Sequence, residues 1–575
     1  MKYRWSIFPA QPALASFLAR ELGISQLLAQ CLLNRGLSEP GPIQFFLEPR
    51  LKNLSDPFLL PGMTTAVDRL FAARTRNDPI ILFGDYDVDG VTSTALLYEL
   101  LGSLGWKVEC YLPHRLDEGY GLTQAGVENC LARHACALLI AVDCGSTAVS
   151  SVDWLRERQV DVIVLDHHQI STPAPAVVAL VNPQVADPTG PGPCFRELCS
   201  VGLAFKLAHA LVKRGRQLGL PEFAGTDVRE YLDLVALGTI ADLVPLVGEN
   251  RILVAAGLER LRVTKRPGLV ALKKAASING RVGGYEVGFQ LAPRLNAAGR
   301  LETAEEALSL LLAPNLSSAE PTALRLDARN RERQKIEKRI VEEVLTVVRN
   351  RLEREGERDW VIVEGNPDWH IGVVGIVASR VLQEYHRPTL VLGGDGGEWR
   401  GSGRSIDGFD LAAALRQCAD LLVRHGGHAM AAGVSIHPDK VDAFRARLNE
   451  LARRTLKPEQ LQPTLQIDAT ATLSDLTLDR VRELSRLEQT GMGNPSVRLA
   501  LCGVSHGRPL QRVGLDRKHA RLWITDGRTT REAVMWGVGD GALPVGKFDL
   551  VVEPRLNEYN DMISVQLKVV DWEPA

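Results

Sequence analysis

The chain has 575 residues, 45% of them apolar and 24% charged, and a formal net charge of −2. That length supports several cores at ~100–200 residues per domain, and the near-neutral balance excludes the bulk electrostatics of a strongly basic nucleic-acid binder, leaving that role to local patches. Met1 to Trp5 lead toward Pro9 and Pro12 without a sustained apolar run, and no stretch approaches the ~18 uninterrupted apolar residues of a membrane helix, so a soluble cytoplasmic protein with no membrane contact is expected.

Residues 1–60 read as a helical packing segment without chemistry, with Pro57 and Pro61 at its exit. The apolar run Ile80–Phe83 has the character of a buried strand and leads into Gly84-Asp85-Tyr86-Asp87-Val88-Asp89-Gly90. Three carboxylates on alternate residues repel one another and resist desolvation, so a fold that gathers them usually holds cations. A calcium loop of the EF-hand type would need a glutamate six residues beyond the glycine; Leu96 stands there, which removes that option.

Two further strand-like runs repeat the arrangement. Ala137–Val142 ends in Asp143-Cys144-Gly145-Ser146, and Val160–Leu165 ends in Asp166-His167-His168. Helical stretches over Thr92–Leu104, Thr123–His134 and Thr147–Gln159 separate the strands. Such alternation predicts a mostly parallel sheet with helices on both faces, where ligands gather at the carboxyl ends of the strands. All three acidic clusters fall at that edge. Asp242, a lone acid in the apolar segment Leu234–Pro245, is the last candidate ligand.

Carboxylates with one imidazole suit manganese or magnesium, whereas structural zinc would want thiolates. The nine cysteines include no C-x-x-C pair and read as reduced thiols. So many acids in one pocket leave excess charge on a single ion, and two are expected. Two ions roughly 3.5–4 Å apart are the usual device for phosphoester hydrolysis, and no P-loop competes with that reading.

Leu324–Arg354 is charge-dense, but Ile336, Ile340, Val344, Val348 and Leu352 recur every fourth residue and mark one buried stripe on a long helix. Its Arg325, Arg329, Arg331, Arg333, Lys335, Lys338 and Arg339 either line a cleft or form a solvated face. Trp360–Val363 opens a new strand, His370–Arg380 reads as a glycine-opened helix, and Arg400-Gly401-Ser402-Gly403-Arg404-Ser405 as a basic, glycine-rich loop able to approach an anion. From about Pro463 the runs Leu499–Val504, Arg521–Thr525, Glu532–Trp536, Phe548–Val552 and Ile563–Val570 have the spacing of a small barrel. There Arg517, Lys518, His519, Arg521, Trp523 and Trp536 combine stacking surface with charge, although barrel tryptophans are more often core.

The four acidic motifs, the last being Gly238-Thr239-Ile240-Ala241-Asp242, resemble those of the DHH phosphoesterases, and Gly426-Gly427-His428-Ala429-Met430-Ala431-Ala432-Gly433 resembles the signature of the associated DHHA1 domain. Ala292–Arg300 and Gly491-Met492-Gly493-Asn494-Pro495 extend the resemblance over nearly the whole chain, toward the bacterial single-strand DNA exonucleases of that superfamily. The resemblance implies an α/β fold with two α/β lobes, a parallel-sheet DHH domain and a smaller DHHA1 domain joined by a long helix, plus a C-terminal OB-fold barrel. The corresponding segments are 1–60, 61–320, 321–356, 357–460 and 461–575.

It also implies roles. Asp87 would hold one metal and Asp89 the other, with Asp143 bridging and His167 and Asp242 completing the ligand set of the second ion. Asp85 would support the first ion, because smaller members carry a histidine where this chain has Phe83. His168 would face the scissile phosphate and Asp166 would orient it. Ser402, Arg404, His428 and Arg115 would hold the DNA end, with Arg294 and Arg300 as further phosphate contacts. The implied activity is a 5′-to-3′ exonuclease of DNA repair and recombination that uses two Mn2+ or Mg2+ ions and releases 5′-mononucleotides. A monomer working with single-strand-binding protein and a helicase is expected. The rivals are a phosphodiesterase of small molecules or short oligonucleotides, and a scaffold without catalysis.

Overall fold

The computed structural model describes residues 3–114, 117–185, 195–301, 303–355, 359–394, 396–514, 516–539, 541, 543–559 and 562–575. By internal contacts the chain forms two units: Gln11–Asn330 with Arg482–Val497, and Met1–Ala10 with Arg331–Val481 and Arg498–Ala575.

The first unit is built on a five-stranded sheet in the order Val108–Tyr111, Ile80–Gly84, Leu138–Val142, Asp161–Leu165, Ala179–Val181, parallel throughout. Its central strands are apolar without alternation because both faces are covered, as parallel sheets require. One face, with Leu82, Ile140 and Leu165, packs on the helices Met63–Arg76, Val88–Ser103 and Ser200–Gln217. The other, with Ile81, Phe83, Ala141 and Val164, packs on Gln124–Arg133 and Val149–Glu157. The chain enters the sheet at Ile80–Gly84, pairs next with Val108–Tyr111 on one side, and then crosses to Leu138–Val142 on the other. The gap between those crossings is the topological switch point where α/β sheets hold ligands.

The helix expected from Thr92 begins at Val88, because Asp87 caps it by accepting the Gly90 N–H at 3.0 Å. The Gly491–Pro495 motif is a structural clasp of the first unit: buried Asn494 donates to the carbonyls of Leu487 and Gln489, and accepts from Arg35 Nε.

In the second unit a five-stranded sheet runs Arg424–Gly427, Ala431–Ile436, Trp399–Arg404, Thr389–Gly393, Ile362–Gly365, with only the last pair parallel. Arg400–Ser405, expected as a loop, is instead largely the central strand Trp399–Arg404. Its glycines serve packing. A Cβ on Gly401 would fall 2.2 Å from Leu392 Cδ2, and one on Gly403 would fall 2.6 Å from Leu411 Cδ2. The helix expected from His370 starts at Val374. The helix Leu316–Glu355 begins in the first unit and continues into the second, where Ile340, Val344 and Val348 are buried as the stripe requires. Residues Arg4–Ile7, read as part of a helical segment, form a strand parallel to Thr464–Ile467. The five long strands Leu499–Val513, His519–Thr525, Thr530–Met535, Lys547–Tyr559 and Met562–Pro574 close into the expected barrel through pairing of the first with Lys547–Tyr559.

Candidate metal centre

Sheet register creates the centre. Gly84 lies opposite Val142, and Val142 opposite Leu165, so Asp85, Asp143 and Asp166 each leave the sheet one residue later, side by side on strands ~4.8 Å apart. Asp143 does so at φ 63°, a left-handed turn unusual for a residue with a side chain. Gly90 is required by this crowding, since a Cβ there would lie 2.6 Å from the Asp85 carbonyl oxygen.

Asp89, in the first turn of Val88–Ser103, accepts the N–H groups of Ser200 and Val201 at 2.7 and 2.8 Å, at the start of a long helix whose dipole favours negative charge. The Ser200 hydroxyl donates to Asp143 Oδ1 at 2.8 Å. Asp242 caps the carboxyl end of the buried helix Leu232–Ala241. Gly238 lets that helix approach, for a Cβ there would meet Thr92 Oγ1 at 2.4 Å and Asp89 Oδ1 at 3.2 Å.

Ligand atoms of Asp85, Asp87 and Asp143 lie within 4.8 Å of one another; so do those of Asp89, His167 and Asp242, and those of Asp143, His167 and His168. Burial and the neighbouring Asp87 push the Asp89 carboxyl up to about 7. Burial together with Asp89 and Asp87 pushes Asp242 to about 9, and burial with Asp89 raises Asp143 well above the usual range. These acids resist ionising together unless a positive charge joins them.

The two histidines divide. Burial, then the adjacent His168, pulls His167 down to about 4, so its imidazole is neutral. Its Nε2 stands 3.6 Å from Asp143 Oδ1 and 3.5 Å from Asp242 Oδ2. Both Nε2 and Asp242 Oδ2 are buried and have no hydrogen-bond partner among the described residues. Lone pairs facing one another just beyond bonding distance fit the shell of a cation, and the oxygen-rich donor set with one nitrogen fits manganese or magnesium. Burial also opposes charge on His168, but the Asp166 hydrogen bond at 2.7 Å and the nearby carboxylates hold it up at about 9, a cation at neutral pH. Asp166 itself, despite burial, is kept at about 2 by His168 and the Ser146 N–H. It holds the His168 ring.

Phe83 is fully buried and stacked on Tyr111 in the opposite core, 5.4 Å between ring centres. Sequence reasoning missed Ser200, Tyr120, whose hydroxyl lies 3.2 Å from His168 Nε2, and Asn182, which donates to the His168 carbonyl. No motif flags them, because hydroxyls and amides of this kind are common on any helix or loop.

The remaining candidates belong to different units of the chain. Arg294 is held by Asp327 and the Gln290 carbonyl, and Arg300 lies half-buried in the last turn of Ala292–Leu301. Arg115 falls outside the described residues. In the second unit Arg404 donates to Ser402 Oγ at 2.8 Å, burial lowers its pKa, and among the described residues no carboxylate forms an ion pair with it. That is the environment of an anion site. His428 is exposed in the turn after Arg424–Gly427. On the barrel Trp536 is 57% exposed against His519, while Arg521 approaches Glu532 and Lys518 pairs with Asp516.

Residues 79–239 match the DHH family N-terminal domain, 359–454 the DHHA1 domain and 467–571 the RecJ OB domain. The single-stranded-DNA-specific exonuclease RecJ of Bacillus subtilis is 37% identical over 576 residues, 99% of this chain and 71% of that protein. The RecJ of Escherichia coli is 35% identical over 91% of this chain and 92% of its own length. The crystal structure of Thermus thermophilus RecJ in complex with Mn2+ superposes with a TM-score of 0.83 at 32% identity, covering 100% of this chain and 80% of that one. The family profile of the sheet that carries the acids, that of the barrel, and the relatives matched over nearly all of this chain agree: the chain belongs to the RecJ family.

Proposed function

We propose that this protein is a single-stranded-DNA-specific exonuclease that hydrolyses phosphodiester bonds with two divalent cations, manganese or magnesium, in DNA repair and recombination. The observation that carries this reading is His167 Nε2, neutral and without a hydrogen-bond partner among the described residues, between the carboxylates of Asp143 and Asp242. Relatives of the same family are named for that activity, and two Thermus thermophilus RecJ structures hold Mn2+ or Mg2+.

Asp85, Asp87 and Asp143 would hold one cation, and Asp89, His167 and Asp242 the other, with Asp143 shared. Bound there, the cations supply an acidified water and offset charge on the phosphate. Asp89 is oriented by the Ser200 and Val201 amides, and Asp143 by the Ser200 hydroxyl, so the ligands are preset by a rigid helix end. His168, a cation held by Asp166, stabilises charge on the phosphate and can release a proton at Nε2. Ser402, Arg404 and His428 take the terminal phosphate, and Arg115 is a further phosphate contact. Arg294 and Arg300 are further backbone contacts, and the barrel face at Trp536 holds more of the strand. Work from the 5′ end with release of 5′-mononucleotides rests on the resemblance alone; a cytoplasmic monomer and partnership with single-strand-binding protein and a helicase complete the proposal.

Purified protein with Mn2+ and strands labelled at either end tests it. Mononucleotides released first from the 5′ label, and none from Asp143→Asn, are the expected result. Absence of metal-dependent digestion, undiminished digestion by the variant, or faster turnover of dinucleotides than of long strands would overturn it.

A further inference from the structure

Tyr285 and Phe289 are stacked on each other, 5.1 Å between centres with planes 27° apart, and remain 63% and 67% exposed. Large rings left in water together mark a contact surface, in contrast to scattered single apolar residues. Their backbone is also unusual. The short helix Gly284–Glu286 passes into a π-helical turn, Val287–Leu291, before Ala292–Leu301, and such turns are rare and frequent at functional sites.

The segment is mounted on the metal centre at both ends. Gly288 approaches Ile240 on the helix that delivers Asp242, with 3.9 Å from its Cβ position to Ile240 Cγ2. Asn296 Oδ1 accepts the Val88 N–H at 3.1 Å, next to Asp87, and Gly299 sits against the Tyr86 carbonyl. Glu286 accepts the Gly283 N–H and fixes the start of the turn. Buried Val287 and Leu291 anchor the opposite side, so the rings are held outward with little freedom to lose on binding. Leu243, directly after Asp242, and Met492, whose carbonyl accepts the Leu246 N–H, are likewise exposed at 69% and 60%. Exposed apolar side chains thus also stand directly beside the acidic cluster, at Leu243.

We propose that Tyr285 and Phe289 form a platform on which unpaired bases of the single strand stack beside the metal centre. This rests on the proposed function and specifies how the site takes hold of a strand regardless of its sequence. Flat, paired aromatic faces match nucleobases, which all present a π-face, and a duplex keeps those faces covered. The platform thus favours single strands without reading sequence.

Binding measured by fluorescence anisotropy in EDTA, so that no strand is cut, compares a long oligothymidine with an abasic strand of equal length. Wild type should prefer the base-bearing strand. The double variant Tyr285→Leu, Phe289→Leu, which keeps apolar bulk but no π-face, should lose on the order of tenfold of that preference. Tyr285→Trp with Phe289→Trp should retain it. An unchanged preference in the leucine variant, or its loss in the tryptophan variant while the thermal melt is unchanged, would overturn the platform. Failure of wild type to degrade single strands would instead overturn the function on which it rests.

Discussion

His167 and His168 are neighbours with opposite charge states, about 4 against about 9, and the difference lies in one partner. His168 has the Asp166 carboxylate at 2.7 Å, whereas His167 offers Nε2 to a space between two carboxylates. A cationic ring and a neutral one with a free lone pair to offer are therefore made from adjacent identical residues. Calorimetric titration with Mn2+ should show His167→Ala losing affinity while His168→Ala keeps it and is slow in turnover. Asp166→Asn should retain the metal yet fall about 10–100-fold in rate, because an amide still bonds the ring but no longer holds its charge. Equal loss of metal by His167→Ala and His168→Ala would refute this division. The gathering of the acids and both histidines was legible in the sequence because most of them directly follow buried strands of one sheet. Ser200 was not, since its contribution is one hydroxyl and one backbone amide delivered from 57 residues beyond Asp143.

At the scale of elements, the alternation of strand and helix was readable from apolar runs, and the register row Gly84, Val142, Leu165 explains why three separate motifs end as one site. The glycines divided into readable and misleading. Gly238 packs under Asp89, and Gly238→Ala should destabilise the first unit by about 1–3 kcal/mol through overlap with Thr92 and Val201; a thermal melt unchanged from wild type would show that the helix can shift. Gly401 and Gly403 alternate with Ser402 and Arg404, which suits a strand with one small face as well as a loop, and composition alone did not separate these. The barrel carries a pH signature. Burial works against the Glu553 carboxylate, but Lys568 at 3.1 Å and Arg555 at 2.7 Å overcome it and lower its pKa. A lowered folded pKa gives stability that is present above the unfolded value near 4.5 and lost as pH falls through the folded value. Glu553→Gln should cost about 1.5–3 kcal/mol at neutral pH, from the charged hydrogen bonds, and the gap to wild type should close below pH 4.5. A gap independent of pH would assign the loss to packing.

Over the whole molecule, long-range pairings were the least legible. Arg4–Ile7 becomes a strand only because Thr464–Ile467 lies beside it, and Asn494 joins the unit of Arg35; nothing in either local sequence names its partner. Charge, by contrast, makes a global statement. The net of −2 includes a set of acids in the first unit whose burial, and then mutual repulsion, raises Asp89, Asp143 and Asp242. Without cations these acids either hold protons or repel, and both states favour opening of the strand ends and of the helix that carries Asp242. A ligand that binds only the folded state adds about 2.7 kcal/mol at a hundredfold excess over its dissociation constant. Chelation should therefore loosen this region and leave the barrel, which holds none of these residues, as it was. Hydrogen exchange read by mass spectrometry, with Mn2+ and then with EDTA, should show faster exchange on chelation in residues 84–92, 142–148, 165–168 and 234–242 and no change in 547–559. The Asp143→Asn variant should show no response to Mn2+ at those segments. Protection that is the same with and without Mn2+ would mean that the acidic row is stable as a set of shared protons and needs no cation to hold its shape.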